Sequence, residues 1–276
     1  MSRSSRLADP AVAHHYRVET GLARRLLQST RAERASLYTD LYEQLFREVP
    51  WHSQLSARDR TEERELAIRE LLDTLRPYLE PDTEFAQIGP RDCVFTARVP
   101  RMVRKAWAID VSPTVMASAA QSAPNLEPVL SDGVSVPVRA TLVFSNQLME
   151  HLHPDDAMEQ LRNIHAALSP GGMYLCITPN RLNGPHDVSR GIDEVAHGFH
   201  LREYSYADLV AAFHRAGFAR LRALVRVRGL QFEVPPWALC ALERLVEALP
   251  RPLSRRVAGM PVLRRVLEVR LIGIRD

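Results

Sequence analysis

The stretch QIGPRDCVFTARVPRMVRKAWAIDVSP, residues 87–113, decides how this chain is read. It starts inside "EFAQIG" (84–89), a short apolar run that stops at Gly89. It closes on "KAWAIDVSP" (105–113), a second such run that stops at Asp110. Ser112 and Pro113 then supply the cap and first residue of a helix. A strand, a turn and a second strand tipped by an acid is the layout of a nucleotide-type cofactor pocket. Yet Gln87 and Arg91 stand where such pockets usually carry an acid and a second glycine.

Working outward, the same alternation continues. "EPVLSDG" (127–133) gives a third strand, and "ATLVFSN" (140–146) a fourth, apolar enough to be buried on both faces. "PDDAMEQLRNIHAALSPGG" (154–172) is a helix opened by Pro154, favoured at its N-terminus by Asp155 and Asp156, and ended by Ser169-Pro170-Gly171-Gly172. "MYLCITPN" (173–180) is a fifth strand. "YSYADLVAAFHRAGF" (204–218) is a helix stopped by Gly217. "ARLRALVRVRG" (219–229) and "VLEVRLIGIRD" (266–276) are late strands. Upstream, "VETGLARRLLQS", "RASLYTDLYEQLFREV" and "RDRTEERELAIRELLDTL" space apolar residues three and four apart, as helices do. Pro77 and Pro81 end that helical region. The expected organisation is a helical cap over residues 1–78 and an α/β domain over 79–276. The domain is a doubly wound, mostly parallel, Rossmann-like sheet with helices on both faces. Ligand-binding residues then lie just past the strand tips, at 87–93, 110–112, 131–133, 145–151 and 178–200.

Composition sets limits. The chain has 276 residues, 46% hydrophobic and 25% charged, enough for one large domain with an appendage. A net charge of +3 is too weak to point to nucleic acid. Lys105 is the one lysine, so Schiff-base chemistry would rest on it alone. Cys93, Cys176 and Cys240 are far apart and form neither a disulfide framework nor a metal pair. A reducing cytoplasm is the default expectation. The N-terminus lacks the apolar core of a signal peptide, and no run approaches about 18 apolar residues, so no membrane span is expected.

The ordered set "QIGPRDC", "AIDVSP", "LSDG", "FSNQLMEHL" and "LSPGGMYLCITPN", with "HLREYSYADLVAAFHRAGF" after it, resembles the class I S-adenosylmethionine-dependent methyltransferases, above all small-molecule enzymes with an N-terminal helical cap. The resemblance covers about residues 80–225 and implies S-adenosyl-L-methionine as cofactor. It assigns Asp110, with Val111 beside it, to the ribose hydroxyls; the rival reading has Asp110 only capping the next helix. It assigns Asp132 to the adenine amino group, against the alternative of an ordinary Ser-Asp-Gly turn. It places Gln87, Gly89, Arg91, Asn146 and Gln147 around the methionine part. The family pattern at the first turn is acid-x-Gly-x-Gly-x-Gly. Here Gly89 is kept, while Gln87, Arg91 and Cys93 replace the acid and the other glycines. Those changes cost about 2–4 kcal/mol of cofactor affinity unless Arg91 pairs with the methionine carboxylate.

Glu150 and His151 point toward a substrate, and His151, or His200 from the segment 180–205, is the candidate base. That segment is too long for a plain connector and reads as a lid. Asp187, His197 and His200 lie in it, but their spacing marks no known metal site, and no metal is expected. Tyr16, Tyr38, Tyr42 and Trp51 form either a wall over the cofactor or plain core. "PRPLSRRVAGMPVLRRV" (250–266) is basic and somewhat amphipathic, a solvated arginine face or a membrane-surface or oligomer contact, with a homodimer left open. The expected function is methyl transfer to an oxygen or nitrogen of a small molecule, such as a natural product or a sugar or lipid intermediate. The alternatives are a repurposed enzyme performing cyclisation, elimination or rearrangement, and a non-catalytic partner.

Overall fold

The computed structural model describes residues 6–52, 61–119 and 123–276. Eight strands form one sheet. They are β1 (Glu84–Ile88), β2 (Lys105–Asp110), β3 (Leu126–Leu130), β4 (Ala140–Asn146), β5 (Leu168–Thr178), β6 (Arg220–Val227), β7 (Leu230–Val234) and β8 (Val269–Ile274), in the order β3-β2-β1-β4-β5-β8-β6-β7. The first five run parallel. β8 is antiparallel to both β5 and β6, and β7 closes a hairpin on β6. The order reverses between β1 and β4, so the crevice for a ligand opens beyond the tips of those strands.

Helices cover both faces. α1 (Pro10–Leu27) and α2 (Arg31–Glu48) precede the sheet, as does α3 (Thr61–Leu75). The stretch 58–60, the expected start of α3, lies outside the described residues. α4 (Pro113–Ala119) follows β2, α5 (Pro154–Ala167) follows β4, and α6 (Tyr206–Ala216) follows the long connection after β5. Local chemistry sets their starts. Thr30 and Glu33 form a reciprocal capping box on α2, and Ser205 and Asp208 form one on α6. Pro154 opens α5 as expected, but α5 stops at Ala167, and Ser169-Pro170-Gly171-Gly172 falls within β5. The register shifts there, and Gly171 and Gly172 exchange backbone hydrogen bonds with Arg275. Pairing with the C-terminal strand supplies partners that a helix stop signal in the sequence does not reveal.

Alternation along the strands sorts side chains between two cores. Ala86, Ile88 and Val143 face a core that α1 and α2 share with α5 and α6, through Leu22, Leu26, Leu41, Leu45, Leu161 and Phe213. Phe85, Leu142 and Phe144 face the other core, where α3 contributes Ile68 and Leu75. The N-terminal helices therefore reach both faces of the sheet. After β7, three short helices, α7 (Pro236–Glu247), α8 (Arg251–Ala258) and α9 (Pro261–Leu267), share a small core of Val246, Ala258 and Leu267. The basic 250–266 stretch is thus helical with one buried edge, while Arg251, Arg255, Arg256, Arg264 and Arg265 stay exposed.

One buried ion pair docks α2 onto the sheet domain. Asp156, fully buried in the first turn of α5, accepts from Arg34 Nε and Nη2, both at 2.7 Å, and from the Tyr38 hydroxyl at 2.8 Å. The same hydroxyl accepts from the backbone N–H of His153 at 2.9 Å. Removing one member leaves the other charge buried and unpaired. Asp156→Ala is expected to destabilise the protein by about 3–5 kcal/mol in urea unfolding. Replacing Arg34 and Asp156 together with apolar residues should cost clearly less than the two single changes summed, and full additivity would refute the coupling.

Candidate active site

The turn after β1 shows what the altered glycine pattern does. Gly89 (φ +67), Arg91 (φ 56) and Cys93 (φ 60) are all left-handed, at the three alternating positions where the family pattern has glycine. Gly89 needs its glycine twice over, because a Cβ there would also lie 3.0 Å from Leu148 Cδ1. Arg91 and Cys93 hold the same conformation with side chains, at about 1–2 kcal/mol of strain each. Cys93 is anchored by burial, and its thiol donates to the carbonyl of Val115 at 3.7 Å. Burial, with Asp110 and Asp92 adding, pushes that thiol up to about 12, so it is no nucleophile. Arg91 is exposed and makes no ion pair among the described residues. Gln87 is buried below the turn, its Oε1 accepting from the Thr96 hydroxyl at 2.6 Å.

Asp110 sits at the tip of β2 with Val111 half-buried beside it. Its Oδ1 accepts from the backbone N–H of Ser112 at 2.9 Å, so it does cap the start of α4. Burial raises its carboxyl above the usual range, with the backbone of Ser112 and Val111 opposing. Asp132, past β3, is engaged on both oxygens. Oδ1 accepts from the backbone of Val134 and Ser135 at 3.1 and 2.8 Å, and Oδ2 accepts from Arg31 of α2 at 2.7 Å. Burial pulls its pKa up, but Ser135, Val134 and Arg31 together hold it well below the carboxylate range. Asn146 ends β4. Gln147 follows in the left-handed region (φ 54), its N–H donating to the carbonyl of Ile177 at 2.8 Å.

Beyond the tips of β4 and β5 lies a group of ionisable side chains. Glu150 is fully buried, and Oε2 accepts from the Thr178 hydroxyl at 2.8 Å while Oε1 has no hydrogen-bond partner. Burial pushes its carboxyl up to about 7, against the pull of His200. His151 Nδ1 lies 2.9 Å from the carbonyl of Phe199 and 3.0 Å from the Tyr42 hydroxyl. The carbonyl can only accept, so Nδ1 carries the proton and Nε2 the lone pair. Burial pushes this imidazole down to about 3, with His200 and Arg91 adding, so it is neutral. His200 crosses it edge-on at 4.8 Å between ring centres, and its Nδ1 pairs with Glu203 Oε1 at 2.8 Å. Burial lowers the His200 pKa, but Glu203, Glu150 and Asp187 together raise it. Glu150, His151 and His200 offer ligand atoms within 4.8 Å of one another.

The 180–205 segment is a fastened lid. Asp187 accepts from the backbone of Ser189 and Gly198 at 2.9 and 2.6 Å. Glu19 of α1, a buried acid that the sequence did not single out, accepts from the backbone of Phe199 at 2.9 Å. Its other oxygen lies 2.8 Å from His15 Nε2. Tyr16 donates to Asp193 at 2.5 Å. Asp187 and His200 are thus tied into the lid, and His197 is exposed. Of the four cap aromatics picked out in the sequence, Tyr42 reaches His151 and Tyr38 lies against Gly133 beside Asp132, while Trp51 is 52% exposed.

Residues 86–176, a third of the chain, match a family model described as a methyltransferase domain. Over that stretch the chain is similar to methyltransferase domains. Two solved structures share the fold. One is a chain of the complex between the Haloferax volcanii Trm112 methyltransferase activator and a methyltransferase, with 17% identity over 79% of this chain and 93% of that one, at a TM-score of 0.54. The other is the S-adenosylmethionine-dependent methyltransferase SibL in its apo form, with 15% identity over 99% of this chain and 71% of that one, at a TM-score of 0.55. At such identities the likeness speaks for the fold alone. No curated protein matches the sequence. Among the described residues no helix is long and apolar enough to cross a membrane.

The resemblance of the sequence implies S-adenosylmethionine as cofactor. The chain's own residues fit it: a turn left-handed at three alternating positions, a glycine with no room for Cβ, and a carboxylate at the β2 tip. Asp132 gives a pH test of its second attachment. A lowered folded-state pKa stabilises above the unfolded value, near 4, and the contribution is lost as pH falls through the folded value. Asp132→Asn should therefore lower the melting temperature at neutral pH and make the acid-side decline shallower than in the parent. An unchanged acid limb would show that Ser135, Val134 and Arg31 do not hold this carboxylate in solution.

Proposed function

We propose that this protein transfers a methyl group from S-adenosylmethionine to an oxygen or nitrogen of a small molecule. The observation that carries the reading is the turn at Gly89, Arg91 and Cys93, which keeps the left-handed geometry even where glycine is gone. Conformational strain of this kind persists where function uses the shape. When bound, the cofactor supplies an electrophilic methyl on a sulfonium. The chain supplies placement, which dominates such displacements. Asp110 and Val111 take the ribose side, and Gln87, Gly89, Arg91, Asn146 and Gln147 take the methionine side. We leave Asp132 out of that set, because Arg31, Val134 and Ser135 already use its oxygens. The acceptor lies over β4 and β5, where the free Nε2 of His151, or His200 beside it, takes its proton. The three cysteines stay unpaired, which suits a reducing cytoplasm.

A second reading keeps the fold and drops methyl transfer. Arg91 favours it, since an unpaired cation on the turn opposes a sulfonium. Calorimetry with S-adenosylmethionine and the uncharged S-adenosylhomocysteine separates the two. Binding of both is expected, with Asp110→Ala weakening it about 10- to 100-fold. Gln87→Glu with Arg91→Gly should tighten S-adenosylmethionine more than its uncharged product. Binding of the product alone would favour the second reading, and binding of neither would reject both.

A further inference from the structure

We propose that Glu150, His151 and His200 form a binding site for one divalent ion of the zinc type. Three donors from two places in the chain converge here: a carboxylate and the adjacent imidazole past β4, and a second imidazole from the 180–205 segment. Glu150 Oε1 is the telling atom. It is a carboxylate oxygen on a fully buried side chain, with no hydrogen-bond partner among the described residues. Buried polar atoms are nearly always satisfied, and an orphan calls for a ligand.

The two imidazoles are arranged as metal ligands commonly are. Each has Nδ1 held by an oxygen acceptor, the carbonyl of Phe199 for His151 and the Glu203 carboxylate for His200. That fixes the rings and leaves Nε2 as the donor atom, the outer-shell pattern of histidine–metal sites. Glu203 is itself fixed, accepting from the backbone of His186 at 2.6 Å. One ligand atom from each of the three residues lies within 4.8 Å of the others, and four-coordinate zinc, with bonds of about 2.1 Å, sets neighbouring ligands roughly 3.4 Å apart. Closure by at most about 1.4 Å, within reach of side-chain rotation, brings them together. Two imidazoles and one carboxylate suit zinc and leave a fourth position open, whereas magnesium takes oxygen donors. This departs from the sequence expectation of no metal.

A comparable trio, His15, Glu19 and His52, sits on the cap. It differs in the decisive respect: both Glu19 oxygens are occupied, by Phe199 and by His15. The use of the ion rests on the methyl-transfer reading. With the Nε2 lone pairs of both imidazoles on the ion, neither ring serves as base; an ion past β4 and β5 would instead hold the acceptor by an oxygen and ease the loss of its proton, which narrows the acceptor to hydroxyl-bearing molecules.

The test is titration of chelator-treated protein with Zn²⁺, followed by calorimetry and thermal unfolding. One equivalent is expected to bind and to raise the melting temperature. His151→Asn and His200→Asn should weaken binding at least about 100-fold, and Glu203→Gln, a positioning change that keeps all three ligands, about 10-fold. His15→Asn should leave binding unchanged. No stoichiometric binding by the parent protein, or binding lost in His15→Asn but kept in His151→Asn, overturns the proposal. S-adenosylhomocysteine is titrated into the same metal-free protein. Failure there sinks the cofactor reading and leaves the metal site standing, and the converse also holds.

Discussion

Everything at the strand tips depends on one backbone constraint, the left-handed turn after β1. Three alternating residues adopt positive φ, and only Gly89 does so freely. Arg91 and Cys93 together add about 2–4 kcal/mol of strain. The turn survives because its surroundings over-determine it. Gly89 N–H donates to Ile109 of the neighbouring strand at 2.9 Å, Cys93 N–H to Pro90 at 3.0 Å, and the Cys93 carbonyl accepts from Ala97 of the following 3-10 helix at 2.8 Å. The Cys93 side chain is buried under that turn. Strain is thus fastened at both ends, while the exposed Arg91 side chain between them makes no ion pair among the described residues.

The helical cap and the lid behave as one closure over this turn. Asp156 receives Arg34 and Tyr38 on one side, and Glu19 receives the Phe199 backbone on the other. Phe199 in turn offers its carbonyl to His151. A change in cap position would therefore move the imidazole as well as the wall above it. The connection is a chain of buried, directional hydrogen bonds, so it holds a defined geometry in a low-dielectric setting.

The parallel sheet was legible because buried strands read as continuous apolar runs and because Pro113 and Pro154 mark helix starts and Gly217 a helix stop. Asp110 was legible because an acid at a strand tip precedes a helix cap. The hairpin strand Leu230–Val234 and the three helices after it were not, since their apolar residues are split between a small core and the surface. Asp156 read only as a helix-favouring acid; its partner Arg34 lies 122 residues away, and periodicity carries no such pairing. Glu19 was hidden for the same reason, on a helix whose apolar spacing says nothing about an acid turned inward. Asp132 shows the reverse. The motif singled it out, and the structure adds a partner that spacing does not reveal, an arginine from another element on its carboxylate.

The most direct measurement is a crystal structure of the protein grown with S-adenosylhomocysteine. The account predicts the ribose hydroxyls on the carboxylate of Asp110, with the amino-acid tail lying over a turn in which residues 89, 91 and 93 keep positive φ. A crevice closed by Leu148 and the Arg91 side chain, with no nucleoside bound at saturating concentration, would contradict it.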